Sequence, residues 1–397
     1  MIRFSTLARS LIFAFAISAC SSSGGSLPVS NGQPSAQALS GMPAGPGYVA
    51  QPACPGSRIA QMQCDLLIEK IGVSPDVAGL TPADFQKWYN LPSSSKGSHE
   101  IVAIVDAFDN PNVASDLATY RSYFGLPTAD FHKYNQDGQE SNYPKPNKGW
   151  GGEIDLDVQM VSASCPNCTI YLIEAKNNGN ALNQAEIEAV KLGAHIISNS
   201  WGGGRGGASG GIFDKRSVTY LASAGDSGYG MQDPADYTTV VSVGGTVLSQ
   251  SGSSYTESVW KYSGGGCSVV AKPKWQDDPK CKNRTGNDVA AVAWNTAMYD
   301  SYGYRGWLTA GGTSVASPLT AGVFALAGNA RKQDGGRNFW RLPANQRSSD
   351  LHYISSGDVV HCPTRFTGTY LCKAGTNQFG NYSSPAGWGS PNGIGAF

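Results

Sequence analysis

From residue 98 onward, unbroken apolar runs alternate with stretches of helical spacing, and glycine or a small polar residue closes most runs. HEIVAIVDAF (99–108) carries such a run, ending at Asp106. NVASDLATYRSYFG follows with helical spacing, TIYLIEA (169–175) is the next run, and ALNQAEIEAVKLGA the next helical stretch. HIISNSWGGG, VTYLASAGDSG and TTVVSVGGT continue the series. A run without polar alternation is a strand covered on both faces, as in a parallel sheet between two helix layers. The pattern predicts an α/β fold with a central, mainly parallel sheet and helices on both faces. Ligands of such sheets bind beyond the C-terminal strand ends. Asp106, Ser200-Trp201-Gly202 and Asp226 all fall there.

The rest of the chain sets the compartment. The 29 basic and 29 acidic residues balance, so charge makes no case for nucleic acid or an anionic surface. At the N-terminus, Arg3 and Arg9 precede the apolar LIFAFAISA, which has the shape of an export signal and is too short to span a membrane. The segment ends Ile17-Ser18-Ala19-Cys20 and resembles the bacterial lipobox, whose cysteine is lipidated. This predicts an envelope protein tied to the bacterial membrane, in the outer membrane, through Cys20; with Cys20 incidental, the protein is extracellular. Residues 21–50 are rich in Ser, Gly, Pro and Ala and read as a disordered tether. Residues 51–97 form a short N-terminal extension, with Thr81 or Asp84 capping a helix in LTPADFQKWYNLP (80–92). Of nine cysteines, setting Cys20 aside leaves eight, an even count that implies disulfides in an exported protein. The simplest pairing is Cys54–Cys64, Cys165–Cys168, Cys267–Cys281 and Cys362–Cys372. Cys165 and Cys168 form a CxxC, but no second such pair exists to complete a zinc site.

The chemistry concentrates in three segments. GWLTAGGTSVASPLTAGVFALAGN (306–329) places Ser314 after a glycine turn, at the start of a long apolar helix. Free backbone N–H groups and the positive helix end could stabilise an oxyanion there. Thr313 or Ser314 acting only as a helix cap accounts for the segment equally well. Pro318 is expected within the first helical turn. A serine nucleophile needs a base, yet none of the five histidines opens a helix as a base would. GWGGEIDLDVQM (149–160) offers carboxylates instead. Glu153 and Asp157, spaced i, i+4, share one face of a helix starting near residue 153, while Asp155 points elsewhere as a solvated charge. Two close carboxylates do not both ionise easily, so one keeps a proton to higher pH and the other orients it. First-turn acids that only complement the helix dipole are the plainer explanation. In LASAGDSGYG (221–230), Asp226 follows an apolar strand. It is either a turn residue or a neutral acid that donates to an oxyanion.

Together these segments resemble the sedolisin family of serine-carboxyl peptidases, relatives of the subtilisins in which Glu and Asp replace the His–Asp pair. The resemblance covers residues 98–397 as one peptidase domain and implies a subtilisin-like, three-layer α/β fold. EIDLD is similar to the family's Glu-x-x-x-Asp element, making Glu153 the base and Asp157 its partner. AGDSG supplies Asp226 as the oxyanion-hole acid, and GGTSVASP supplies Ser314 as the nucleophile. SNSWGG (198–203) resembles the strand that pairs with extended peptide, implying substrate contacts at Ser200, Trp201 and Gly202. Asp106, with Trp201, takes the position that holds the Glu–Asp pair. The implied activity is endopeptidase cleavage of polypeptides through an acyl-enzyme, with an acidic optimum, by a monomer. The family's C-terminal calcium site uses two aspartates; here Tyr353 and Ser383 stand at those positions. Calcium prefers charged oxygen ligands, so calcium is expected to bind weakly or not at all, with Cys362–Cys372 stabilising the region instead. The stretch before residue 98 is short for the family's inhibitory prodomain. Two other readings are a weak or inactive homologue that binds peptides at the cell surface, and a hydrolase using Asp106 and a histidine.

Overall fold

The run IVAIVDA forms β1 (Ile101–Ala107), which lies between two parallel neighbours in the main sheet. In this computed structural model, residues 42–43, 49–54, 61–68, 77–204, 210–332 and 334–397 are described. The signal-like segment, Cys20 and most of the expected tether lie outside the described residues. The other main-sheet strands are β2 (Asp130–Asn135), β3 (Thr169–Ala175), β4 (Ile196–Asn199), β5 (Thr219–Ser223), β6 (Val240–Ser251), β7 (Ser254–Val259) and β8 (Val289–Val292). Their order is β7-β6-β5-β4-β1-β3-β2, with β8 also paired to β6. Only the β6–β7 pair is antiparallel. The chain winds from β1 toward β2 and β3 on one side, then toward β4, β5 and β6 on the other. The reversal leaves a crevice beyond the C-terminal ends of β1 and β4, where a ligand site is expected. Asp106 is the next-to-last residue of β1, and Ser200 directly follows β4.

Four helices frame this crevice: α1 (Val113–Tyr123), α2 (Lys148–Ser164), α3 (Asn180–Lys191) and α4 (Thr313–Ala327). The subtilisin-like α/β class expected from the run pattern and the resemblance is the one observed, with a central, mostly parallel sheet. Helix α4 is buried from Thr313 to Leu326, as its nearly all-apolar sequence requires. It packs against α2, where a Cβ on Gly322 would collide with the Ser164 side chain; glycine is what lets the two helices approach.

Three expectations about these helices are corrected. Helix α2 begins at Lys148, not near residue 153, because Asn147 caps it: Asn147 Oδ1 accepts from Gly149 N (3.0 Å) and Trp150 N (3.1 Å). The glycines of GWGG are therefore its first turn, and Glu153 lies in the second, beyond the dipole's strongest reach. Asp155 is not solvated; α2 is buried on all sides from Trp150 to Ser164, so no face is left for a free charge. Pro318 lies in the second turn of α4, so it withholds the N–H that the Ser314 carbonyl would otherwise receive. Ser200 Oγ donates to that carbonyl instead (3.4 Å).

The region expected as tether and extension is partly built into the domain. Met42–Pro43 pairs with Val49–Pro52. Val49–Pro52 pairs with Leu67–Ile68, which pairs in turn with Gly306–Gly311, the strand leading to Ser314. Thr296–Asp300 completes this five-stranded sheet. Thr81 caps the helix Pro82–Trp88, its N and Oγ1 both donating to Asp84 Oδ2 (2.8 and 2.7 Å). The bonded cysteine pairs are Cys54–Cys64, Cys165–Cys168, Cys267–Cys281 and Cys362–Cys372. Among the described residues, no helix is long and apolar enough to cross a membrane.

Candidate active site

Glu153 and Asp157 project from α2, one turn apart, into a fully buried interior shared with Asp106 and Ser314. None of the six carboxyl oxygens of Asp106, Glu153 and Asp157 has a regular hydrogen-bond partner. Gln159, on the same helix, shows the contrast. Its amide donates to Tyr299 O (2.7 Å) and accepts from Tyr299 N (2.9 Å), and is thereby satisfied. An isolated buried carboxylate costs several kcal/mol, so the three acids must hold protons among themselves. Burial pushes Asp106 up to about 8. Burial and then Asp106 raise Asp157 well above the usual carboxylate range. Burial, Asp157 and Asp106 do the same to Glu153, and only the nearby Ser314 hydroxyl among its nearest groups favours its charged form.

Ser314 is the second residue of α4. Its N-cap, Gly312, has φ +113°, a conformation that favours glycine and brings the chain sharply off the strand Gly306–Gly311. Ser314 is fully buried, and its Oγ donates to Ser200 O (3.2 Å). Asp226 braces the same helix start. Its Oδ1 accepts from Thr313 N and Thr313 Oγ1, both at 2.8 Å. Its Oδ2 is buried and unpartnered, facing the side of Gly312 where a Cβ would stand. Burial and then Asp65 hold the Asp226 carboxyl well above its ordinary range, against the two bonds from Thr313. A neutral carboxyl so placed presents an O–H at the mouth of a helix N-terminus, a suitable donor to a developing oxyanion.

The other anticipated residues are also nearby. Trp201 is fully buried; its Nε1 donates to Val105 O (2.7 Å), tying the SNSWGG run to the end of β1 beside Asp106. Trp201 and Gly202 pair with a neighbouring strand, and that strand is the chain's own Gln63–Cys64. Asp65 N donates to Ser200 O (3.1 Å), the carbonyl that also accepts from Ser314 Oγ. Asp65 is the main residue that sequence reasoning missed. Its Oδ2 accepts from Ser223 Oγ (2.6 Å) and Gln232 Nε2 (2.5 Å), and burial pushes its carboxyl up to about 7. Nothing in CDLLI signals this, because the contacts span 158 and 167 residues.

The five histidines stand apart: none is buried, whereas Ser314 is. His195 Nδ1 meets Ser217 O (2.9 Å), His352 stacks on Trp88, and His132 pairs with Asp130. Tyr353 is exposed and donates to Asn377 Oδ1 (3.1 Å); Ser383 is buried. Neither position supplies a carboxylate. Asp155 instead lies with Asp116 and Asp300, one oxygen from each within 4.8 Å of the others. Asn110 Nδ2 donates to Asp155 Oδ2 (2.7 Å), and burial followed by Asp300 and Asp116 raises the Asp155 carboxyl well above its usual range.

A fold of this class with a buried serine at the head of its central helix defines a subtilisin-type protein. The subtilase family model (peptidase S8) matches residues 141–347, just over half of the chain, and the chain belongs to that family. Within it the chain is a sedolisin-type, subtilisin-like protein. It is 28% identical over 284 residues to kumamolisin of Bacillus sp. (strain MN-32), covering 62% of this chain and 51% of the relative. It is 26% identical over 366 residues to sedolisin of Pseudomonas sp. (strain 101), covering 80% of this chain and 60% of the relative. The chain thus spans only half to three-fifths of the length of these curated relatives. Among solved structures, Pseudomonas sedolisin, a serine-carboxyl proteinase complexed with two molecules of pseudo-iodotyrostatin, superposes with TM-score 0.64 at 24% identity. That match covers 80% of this chain and 96% of that one, and shows the shared fold.

Proposed function

We propose that this chain is a serine-carboxyl endopeptidase that hydrolyses polypeptides through an acyl-enzyme on Ser314. The observation that carries the reading is a buried serine beside three carboxyls that lack ordinary donors, with the free oxygen of Asp226 at the helix start. Glu153 takes the proton from Ser314 Oγ as it attacks the peptide carbonyl, then passes it to the leaving amine. Asp157, backed by Asp106, orients Glu153 and shares its remaining proton. Asp226 donates to the oxyanion. Water, activated by Glu153, then releases the acyl group. That none of the five histidines is buried, whereas Ser314 is, supports carboxyl rather than imidazole chemistry.

The optimum is acidic on this reading. Asp226 works only while protonated, so activity is lost as pH rises through its titration. The Glu153–Asp157–Asp106 group must retain negative charge, which sets the acid limb. Ser200, Trp201 and Gly202 bind substrate backbone. The reading needs no calcium at Tyr353 and Ser383. The four disulfides support an exported protein. We place it at the bacterial envelope through Cys20, acting as a monomer.

The test is hydrolysis of an unfolded protein from pH 3 to 8 by the purified protein and its Ser314→Ala and Glu153→Gln variants. Acid-side activity absent from both variants is expected. Equal rates for the wild type and Ser314→Ala at every pH would overturn the reading.

A further inference from the structure

Residues 61–68 cross the candidate active site as an extended segment. Gln63 and Cys64 pair antiparallel with Gly202 and Trp201. Leu67 and Ile68 pair antiparallel with Gly311 and Ala310. Between the two ladders lies the Asp65–Leu66 peptide bond, so it is gripped on both sides. Four observations place it at the chemistry. Asp65 N and Ser314 Oγ share one acceptor, Ser200 O, at 3.1 and 3.2 Å. The Asp65 carbonyl oxygen and Asp226 Oδ2 lie against the same side of Gly312, so a Cβ there would strike both. The Asp65 carboxyl fills a closed polar pocket floored by Ser223 and Gln232, and is 3% exposed. The Cys54–Cys64 disulfide fixes the residue just before Asp65.

The geometry points to the Asp65–Leu66 bond as a self-processing site of this chain, and to a carboxyl or carboxamide side chain as the group its pocket selects ahead of the cleaved bond. This rests on the Ser314 reading above. In the step, Ser314 Oγ attacks the Asp65 carbonyl carbon and its proton passes to Glu153. The Asp65–Leu66 C–N bond breaks, and the Leu66 nitrogen leaves as an amine carrying that proton. Water then hydrolyses the Asp65 ester, freeing Ser314 and leaving a carboxylic acid on Asp65. Two donors reach the same oxygen of the pocketed side chain, Ser223 Oγ and Gln232 Nε2, with no cation among its partners. A neutral acid or an amide satisfies both donors; a leucine side chain would leave both unpaired. Cutting after Asp65 keeps the Cys54–Cys64 loop whole on the N-terminal piece. That piece stays attached through Val49–Pro52, which pairs with Leu67–Ile68.

The test uses the full chain and its Ser314→Ala variant, incubated from pH 3 to 8, reduced, and read by intact mass and N-terminal sequencing. A new chain beginning at Leu66 is expected in the wild type and absent from the variant. Ser314-dependent hydrolysis of an added protein without a chain beginning at Leu66 would overturn self-processing while leaving the peptidase reading standing. No Ser314-dependent cleavage of either would overturn both. For the pocket, peptides with Asp, Asn or Leu before the cleaved bond are compared. A preference of tenfold or more for Asp and Asn over Leu is expected, falling at least tenfold in Gln232→Leu. Equal rates for the three peptides would overturn the pocket assignment.

Discussion

Asp226 is the residue whose role makes the sharpest prediction. Its Oδ1 is occupied by Thr313 and its Oδ2 is free, so only the protonated acid has an O–H to offer an oxyanion. Asp226→Ala should therefore lower kcat by about 10²–10³-fold, the usual loss for one oxyanion-hole donor. Asp226→Asn keeps an N–H that does not titrate, so it should lose less and show a shallower fall on the alkaline side. Both are read from kcat–pH profiles; identical alkaline limbs in wild type and Asp226→Asn would remove Asp226 from the titration. On the proposed reading, in which Glu153 takes the Ser314 proton, Glu153→Gln should cost about 10³-fold or more in kcat at every pH. Ser314, Glu153, Asp157 and Asp226 were legible in the sequence as motifs, because each sits at a strand end or on a helix whose local spacing fixes its direction. Asp65, Ser223 and Gln232 were not, because their meeting depends on a crossing of distant segments.

At the scale of elements, α2 and α4 act as two rods whose register sets the distance from Glu153 to Ser314. Gly322 is where they touch. Gly322→Val should destabilise by about 1–3 kcal/mol through overpacking, and the displaced helices should lower kcat as well. Thermal unfolding and kcat measured on the same preparation check this; a stable variant with full activity would separate helix register from catalysis. Asn147→Ala removes the α2 cap and should cost about 1 kcal/mol. The α/β order from β1 to β6 was readable from apolar runs, because continuous burial leaves a continuous pattern. The start of α2 was misplaced by several residues and Pro318 was put one turn too early in α4, each for a physical reason. GWGG looks like a turn until Asn147 is seen to cap it, and Pro318 looks like a first-turn residue until Gly312 is seen to be the N-cap.

For the whole molecule, the buried acids set the pH dependence of stability. Asp65, Asp106 and Asp236 are pushed up to about 7, about 8 and about 7, with burial the largest cause in each. Unfolded aspartates titrate near 4. Between that value and the folded one, the native state holds protons that the unfolded chain has released, so stability falls as pH rises. The melting temperature should be highest near pH 4 and decline toward pH 8. Thermal unfolding of Ser314→Ala, which avoids self-digestion, measures this directly; a rising melting temperature over that range would contradict the burial of these groups as acids.

By itself the sequence determined the α/β class, and it marked the strand ends, the acids and the serine that make up the candidate site. These follow from local periodicity and from which residue types end each run. Only the tertiary structure decided that Asp155 joins Asp116 and Asp300 in the interior, that none of the five histidines is buried as Ser314 is, and that Gln63–Ile68 lies across the cleft. Burial and long-range strand pairing depend on the whole chain at once, and no window of sequence contains them.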